Sequence, residues 1–143
     1  MIRKFNNADL DSIMQIWLDT NIHSQSFISQ EYWTGNYGMV KRLLPRAEVY
    51  VYENTCSHEI EGFIGLTDDY IEGIFVREAS QSRGIGKQLL DYVKGIRNTL
   101  RLNVYQKNVR AIRFYQRELF VIHSKNATDG TGEAEFIMTW SKQ

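Results

Sequence analysis

Residues 70–105 constrain this 143-residue chain more than any other stretch. Residues 70–76 are β-rich, residues 101–105 read as a second strand, and an amphipathic pattern opened by Gly84 and Gly86 lies between them. In that pattern Ile85, Leu89, Val93, Ile96 and Leu100 recur at helical spacing, which predicts a helix carried through to Leu100. A strand, a crossover helix and a following strand pair in parallel, so the sheet is locally parallel whatever the remaining strands do.

The flanking sequence extends this unit on both sides. Residues 2–5 predict a short strand, and Asn7 is placed to cap a helix with Leu10, Ile13, Met14 and Trp17 on one face. A second helical pattern runs over residues 29–44 and stops at Pro45. Strands follow at 48–53, 59–67 and 70–76, with hairpin turns at 54–58 and at Asp68-Asp69. Beyond the crossover, a helix over 109–118 leads to strands at 120–124 and 135–140, joined by a turn at Asp129-Gly130-Thr131-Gly132. The predicted fold class is α/β with a mixed central sheet, in the order β-α-α-β-β-β-α-β-α-β-β.

Composition narrows the class. With 43% hydrophobic and 24% charged residues, ten glycines and one proline, the chain reads as one globular domain over residues 1–143. A single cysteine, Cys56, excludes an internal disulfide framework and a four-thiol metal site, and His58 and His123 lack zinc-ligand spacing. No apolar run has the ~18 residues a membrane span needs, and the N-terminus shows no signal-peptide core. The expected protein is therefore soluble and cytoplasmic, without a metal and without a membrane partner.

The zero net charge conceals an asymmetry. Residues 83–118 hold nine basic side chains (Arg83, Lys87, Lys94, Arg97, Arg101, Lys107, Arg110, Arg113, Arg117) against Asp91 and Glu118, for +7 against −7 elsewhere. Such a segment suits a polyanionic ligand or, equally, a solvated helix face. The glycines sharpen the choice, because free N–H groups at a helix start attract an anion and glycine lets a phosphate approach the backbone. A tight turn alone is the plainer explanation. Two nucleotide motifs fail on spacing: Gln81 and Gln88 stand where a Walker A loop needs glycine and a hydroxyl residue, and Leu89 where a dinucleotide fingerprint needs a small residue.

What fits is Gln81-x-x-Gly84-x-Gly86, followed by Asn108-Val109-Arg110-Ala111-Ile112-Arg113-Phe114-Tyr115. With these two spaced motifs and this element order the chain resembles the GNAT acetyltransferase family over nearly its whole length, and in particular its small bacterial members. The resemblance implies acetyl-coenzyme A as co-substrate. It implies that the amides of Ser82, Arg83, Gly84, Ile85, Gly86 and Lys87 cradle the pyrophosphate, and that the backbone of Ile74, Phe75 and Val76 pairs with the pantetheine arm. Asn108 would hydrogen-bond the cofactor, the basic segment would flank its phosphates, and the thioester would sit where the fourth strand splays from the fifth. Gly73, an isolated strand glycine, marks a bulge or a close backbone approach. Leu119-Phe120 replaces the family's Gly-Phe after the last helix and Glu78 its common loop proline, departures that bear on local loop shape.

Amine acetylation requires a neutral amine, a stabilised oxyanion and a protonated thiol leaving group. Tyr115 matches the family's general acid, although its spacing beside Phe114 also suits a core aromatic. The family's fifth-strand glutamate is Asn103 here, which cannot take a proton, so Glu72 on the fourth strand is the candidate base. Backbone amides near residues 74–76 would polarise the carbonyl. The demand on a base depends on the acceptor: neutralising a lysine at pH 7 costs roughly 4.6 kcal/mol, an α-amine about 1 kcal/mol. His23, Ser24, Phe27, Tyr32 and Trp33 offer an acceptor lining or simply pack a helix on the sheet, and Asp68, Asp69 and Glu72 would attract a cation. The reading is an N-acetyltransferase acting by direct attack of an amine-bearing protein or small molecule, as a monomer or homodimer. A non-catalytic acyl-coenzyme A sensor has no use for the Tyr115 hydroxyl. A tRNA-directed enzyme sits poorly with the acidic remainder, which sets nucleic acid aside as a partner.

Overall fold

Arg3 and Asp9 set the start of the chain. The computed structural model describes residues 1–127 and 131–143, so Asp129 and Gly130 of the expected last turn lie outside the described residues. Strand β1 (Ile2–Lys4) leads into helix α1 (Leu10–Ser24) through a 3-10 turn at Asn7–Asp9. The cap is Asn6 rather than the predicted Asn7: its side chain accepts the Ala8 N–H at 3.0 Å, and its own N–H donates to Asp9 Oδ2 at 2.9 Å. The same Asp9 carboxylate takes both Arg3 Nη atoms at 2.8 and 2.9 Å, and Arg3 reaches on to Glu53 Oε1 at 2.8 Å. Spacing alone could not choose between Asn6 and Asn7, because the choice is made by this tertiary pair.

Helix α2 (Gln30–Leu43) packs on α1 through the edge-to-face pair Trp17–Trp33, ring centroids 5.9 Å apart, and ends in a 3-10 turn at Leu44–Arg46 that holds Pro45. Strands β2 (Glu48–Glu53), β3 (Ile60–Thr67) and β4 (Tyr70–Val76) form an antiparallel meander. Helix α3 (Ile85–Lys94) then crosses to β5 (Thr99–Tyr105), and α4 (Val109–Arg117) connects β5 to β6 (Val121–Ala127) and β7 (Ala134–Ser141). The predicted run to Leu100 is a correction: α3 stops at Gly95, whose N–H closes the last turn on Asp91 and Tyr92. Leu100 belongs to β5, buried on the same face as Leu102 and Val104. Its four-residue step from Ile96 continues the helical spacing across a real boundary.

The strands form one sheet, ordered β1-β2-β3-β4-β5-β7-β6, antiparallel throughout except where β4 meets β5. Helices α1 and α2 cover one face over Ile13, Met14, Trp17, Val51 and Phe63, and the other face packs Ile64, Leu66, Ile71, Leu89, Leu90, Leu102 and Met138 under α3 and α4. Each apolar cluster is sealed by a helix pair, so the sheet is buried on both sides. No helix among the described residues is long and apolar enough to cross a membrane.

The Arg3 guanidinium holds the Asp9 carboxyl below its usual range, so this pair stabilises the fold above the ordinary carboxylate range and loses its contribution as pH falls through the depressed value. Asp9→Asn is expected to cost about 1 kcal/mol at pH 7, because it takes from the half-buried Arg3 guanidinium one of its two carboxylate partners and leaves Glu53. In urea unfolding the deficit should shrink steadily below pH 4, where the wild type loses the same interaction.

Candidate active site

Strand β4 carries a bulge. Gly65 pairs with Gly73 and Leu66 with Ile71, which leaves Glu72 without a partner on β3. The extra residue inverts the alternation: Ile71, Ile74 and Val76 pack toward α3 and α4, and Phe75 stacks on Phe63 of the other face with centroids 4.9 Å apart. Gly73, the predicted bulge or close approach, is both: it borders the bulge, and a Cβ there would stand 2.4 Å from the Phe75 ring. Past the bulge β4 turns away from β5, and the two strands share a single rung, Tyr70 with Arg101. The β5-facing edge of residues 74–76, the stretch expected to meet the pantetheine arm, therefore borders an open gap.

At the end of β4 the Gln81 side chain donates to the Val76 carbonyl at 3.1 Å and ties the glycine loop to the strand. Ser82 and Gly84 both have left-handed φ, 66° and 80°, and Gly84 is the N-cap of α3. Only glycine occupies this conformation without strain, which accounts for the motif's glycine at 84. The amides of Ile85, Gly86 and Lys87 have no partner among the described residues, and the first turn of α3 carries no acid. A helix start with free N–H groups and an uncompensated dipole is fitted to a phosphate. The chain thus presents what a coenzyme A pyrophosphate requires.

The second motif follows β5. Asn108 is the N-cap of α4, its carbonyl accepting from Ala111 N–H at 3.2 Å and its amide donating to Gln25 Oε1, at the end of α1, at 3.4 Å. Its first employment is therefore structural: it fixes where α4 begins beside the gap. Tyr115 lies two turns on, among the cluster under α4, with rings of Phe114 and Phe120 at 5.3 and 5.7 Å. Its hydroxyl has no hydrogen-bond partner among the described residues, and burial raises its pKa above the usual phenol range, with Tyr70 adding a smaller push. A phenol so placed stays protonated at any working pH. Glu72 is exposed on the bulge, and burial raises the pKa of the neighbouring Tyr70 phenol, with the Glu72 charge adding to it.

The turn after α4 keeps the geometry that glycine normally supplies. Phe120 N–H donates to the Tyr115 carbonyl at 2.9 Å and Leu119 N–H to that of Gln116 at 3.1 Å, a Schellman pair with Leu119 at φ 73°. The Leu119-Phe120 departure thus leaves the turn intact and stores strain in it. The basic segment divides: Lys87 pairs with Asp91 and Glu118, Arg97 with Glu48, Arg101 with Asp69 and Lys107 with Glu133, while Arg83, Arg110, Arg113 and Arg117 form no ion pair among the described residues. Counting charge could not reveal this, because the partners come from other elements. Of the expected acceptor lining, Trp33 is buried core and Phe27 packs on Tyr105 at 5.6 Å, while Phe27, Ser29 and Tyr32 edge a hollow of about 260 Å³ with Thr131 and Glu133. A groove of about 930 Å³ between α1 and Glu78 holds none of the predicted site residues. No group of acids, histidines and cysteine among the described residues could hold a metal ion. Sequence reasoning passed over Tyr70, whose position at the last rung shows only in the register.

A sheet opened between two parallel strands, with an anion-receptive helix start beyond one and a half-buried phenol on the helix beyond the other, has the design of an acyltransferase that grips an extended phosphate-bearing carrier. The chain belongs to the GNAT acetyltransferase family: the model described as "Acetyltransferase (GNAT) domain" matches residues 45–122. It is 33% identical over 142 residues to the peptidyl-lysine N-acetyltransferase YiaC of Escherichia coli (strain K12), covering 98% of this chain and 96% of that protein. The solution structure of apo-form YjaB from Escherichia coli shares the fold at TM-score 0.88 and 22% identity, covering 100% of this chain and 98% of its own. The PaiA N-acetyltransferase from Thermoplasma acidophilum, in complex with coenzyme A, does so at TM-score 0.80 and 20% identity, covering 99% and 98%.

Leu119→Gly should raise the stability by about 1 kcal/mol, since it removes a left-handed leucine that is 72% exposed and loses little packing. A thermal melt of the two proteins reads the gain directly.

Proposed function

We propose that this chain, one domain over residues 1–143 acting in the cytoplasm, acetylates the side-chain amine of a peptidyl lysine by direct attack on acetyl-coenzyme A. The observation that carries the reading is the gap itself, with free α3 amides at one end and the unpartnered Tyr115 hydroxyl at the other. The lysine acceptor is supported by the peptidyl-lysine acetyltransferase to which the chain is 33% identical.

Acetyl-coenzyme A, when bound, supplies a thioester acyl group and a thiol to be released. The backbone of Ser82, Arg83, Gly84, Ile85, Gly86 and Lys87 would hold its pyrophosphate, and the open edge of Ile74, Phe75 and Val76 would pair with its pantetheine arm. Asn108 contributes by setting the start of α4 beside the gap, and the unpaired Arg83, Arg110, Arg113 and Arg117 give the phosphates a positive field. Holding both partners in one cleft supplies much of the acceleration. Tyr115 gives its proton to the departing sulfur, a role that its raised pKa protects. Glu72 takes the proton from the acceptor amine, directly or through water. The cost it helps to meet is roughly 4.6 kcal/mol for a lysine at pH 7, and the acids beside the gap favour approach of the ammonium form.

Tyr115→Phe should lower kcat by about 100-fold or more while leaving the KM for acetyl-coenzyme A nearly unchanged, measured as thiol release with a lysine peptide. An undiminished kcat would remove Tyr115 from the mechanism. In the wild type, kcat/KM should climb with pH as the lysine loses its proton. No alkaline fall is expected below about pH 10, because the phenol's pKa is raised above its ordinary value. A descending limb near pH 8 would point to a different acid.

A further inference from the structure

A carboxylate lies buried beside the segment that leads into the glycine turn, and no step of the transfer uses it. Glu61 is the residue that β3 has to spare against β2, since Tyr52 pairs with Gly62 and Glu53 with Ile60. It is only 4% exposed. A buried charge is costly unless donors surround it, and here three do. Ser80 Oγ donates to Oε2 at 2.6 Å, Arg77 Nη2 to the same oxygen at 3.5 Å, and Asn54 Nδ2 to Oε1 at 3.1 Å. The Ser80 hydroxyl leads in holding the carboxyl below its ordinary range, against the opposing effect of burial.

Two of these donors belong to the stretch that runs from β4 into the glycine turn. The Glu61 carbonyl takes Arg77 N–H at 2.8 Å, which carries the β3–β4 pairing one residue past Val76. Ser80 N–H then closes a 3-10 turn on the Arg77 carbonyl at 2.8 Å, and Arg77 Nη2 reaches Ser80 Oγ at 3.3 Å. Ser80 stands directly before Gln81, whose side chain is tied to Val76. Consecutive residues are thus anchored to β3 and to β4, just ahead of the left-handed Ser82 and Gly84. Amides already held in place bind an anion better than amides the anion must order, because ordering backbone costs affinity.

We propose that Glu61 is a positioning residue for coenzyme A: through the Ser80 hydroxyl it fixes the approach to Gly84, and with it the amides of Ile85, Gly86 and Lys87 that face the pyrophosphate. Asn54 steadies the carboxylate in turn. Its own Oδ1 accepts the Cys56 and Ser57 N–H groups at 2.8 and 3.0 Å, so its amide nitrogen is kept toward Glu61. The proposal rests on the α3 start being the pyrophosphate site and is independent of the acceptor.

The test compares wild type with Ser80→Ala, Glu61→Gln and the double variant. Ser80→Ala frees the loop and leaves the carboxylate with Asn54 and Arg77, whereas Glu61→Gln keeps the shape but offers one acceptor oxygen to three donors. Two readouts are used, each well below the melting temperature: coenzyme A titration by calorimetry, and thiol release at varied acetyl-coenzyme A. Each single variant should bind coenzyme A about five- to tenfold more weakly, roughly the worth of one hydrogen bond. KM for acetyl-coenzyme A should rise by the same factor while kcat holds. The double variant should bind no more weakly than the weaker single one, because the two residues act through one contact. Unchanged affinity in Ser80→Ala would overturn the positioning role with the coenzyme site intact. Losses that multiply in the double variant would overturn it too, as would a kcat that falls as far as KM rises, the mark of general loosening. A wild type that binds no coenzyme A would overturn the site assignment, and this proposal with it.

Discussion

One rung of parallel pairing governs the molecule. A parallel sheet normally continues its ladder for several residues, and an interrupted ladder leaves N–H and C=O groups that must find other partners or water. Here the interruption has a covalent cause in β4, where Glu72 is one residue more than the pairing with β3 accommodates. The bulge redirects the strand and reverses which side chains face each layer, so Ile74 and Val76 join the α3–α4 core and Phe75 joins the other. Both features of the site follow: an unpaired edge along β4, and helices that leave the ends of β4 and β5 on either side of the opening. That is the crevice at strand carboxyl ends where α/β folds place ligands.

The support for Tyr115 comes from residues remote from the gap. Its carbonyl is fixed by Phe120 N–H, its ring leans on Phe120, and Phe120 is almost wholly buried. Lys94 of α3 donates to the Glu118 carbonyl at 2.5 Å and lies 5.7 Å from the Phe120 ring and 5.2 Å from that of Trp140, its own pKa lowered by burial. Lys87 reaches the Glu118 carboxylate at 3.0 Å. Glu118 therefore ties the end of α4 to the flank of α3, and so links the helix that carries Tyr115 to the helix that Gly84 opens. Strain at Leu119 is tolerated because this cluster over-determines the turn.

Local chemistry was legible in the sequence where a residue had one physical reason to be present. The strands at 48–53 and 70–76 match residue for residue because apolar alternation and flanking turns bound them. Gly84 and Gly86 declared the start of a helix, and Asn108 with its spacing to Tyr115 declared the helix that follows. What stayed hidden depends on residues far apart in the chain. The cap at Asn6 is decided through Arg3, and the employment of Arg97 and Arg101 depends on Glu48 and Asp69. The end of α3 was obscured because Leu100 has the same spacing from Ile96 in a strand as it would in a helix. Tyr70 carries no motif, and its place as the one residue of β4 paired with β5 shows only in the register.

An opened sheet has interior edges as well as outer ones. The outer edges are blunted in ordinary ways: β1 has three residues, and β6 is irregular between Ile122 and Ser124. The edge of β4 beside the gap is an interior one, with α1 packed against the strand from one face and α3 from the other. The architecture thus keeps an unspent strand edge inside the fold, between helix layers, where another chain of this protein cannot reach it as it could an outer edge.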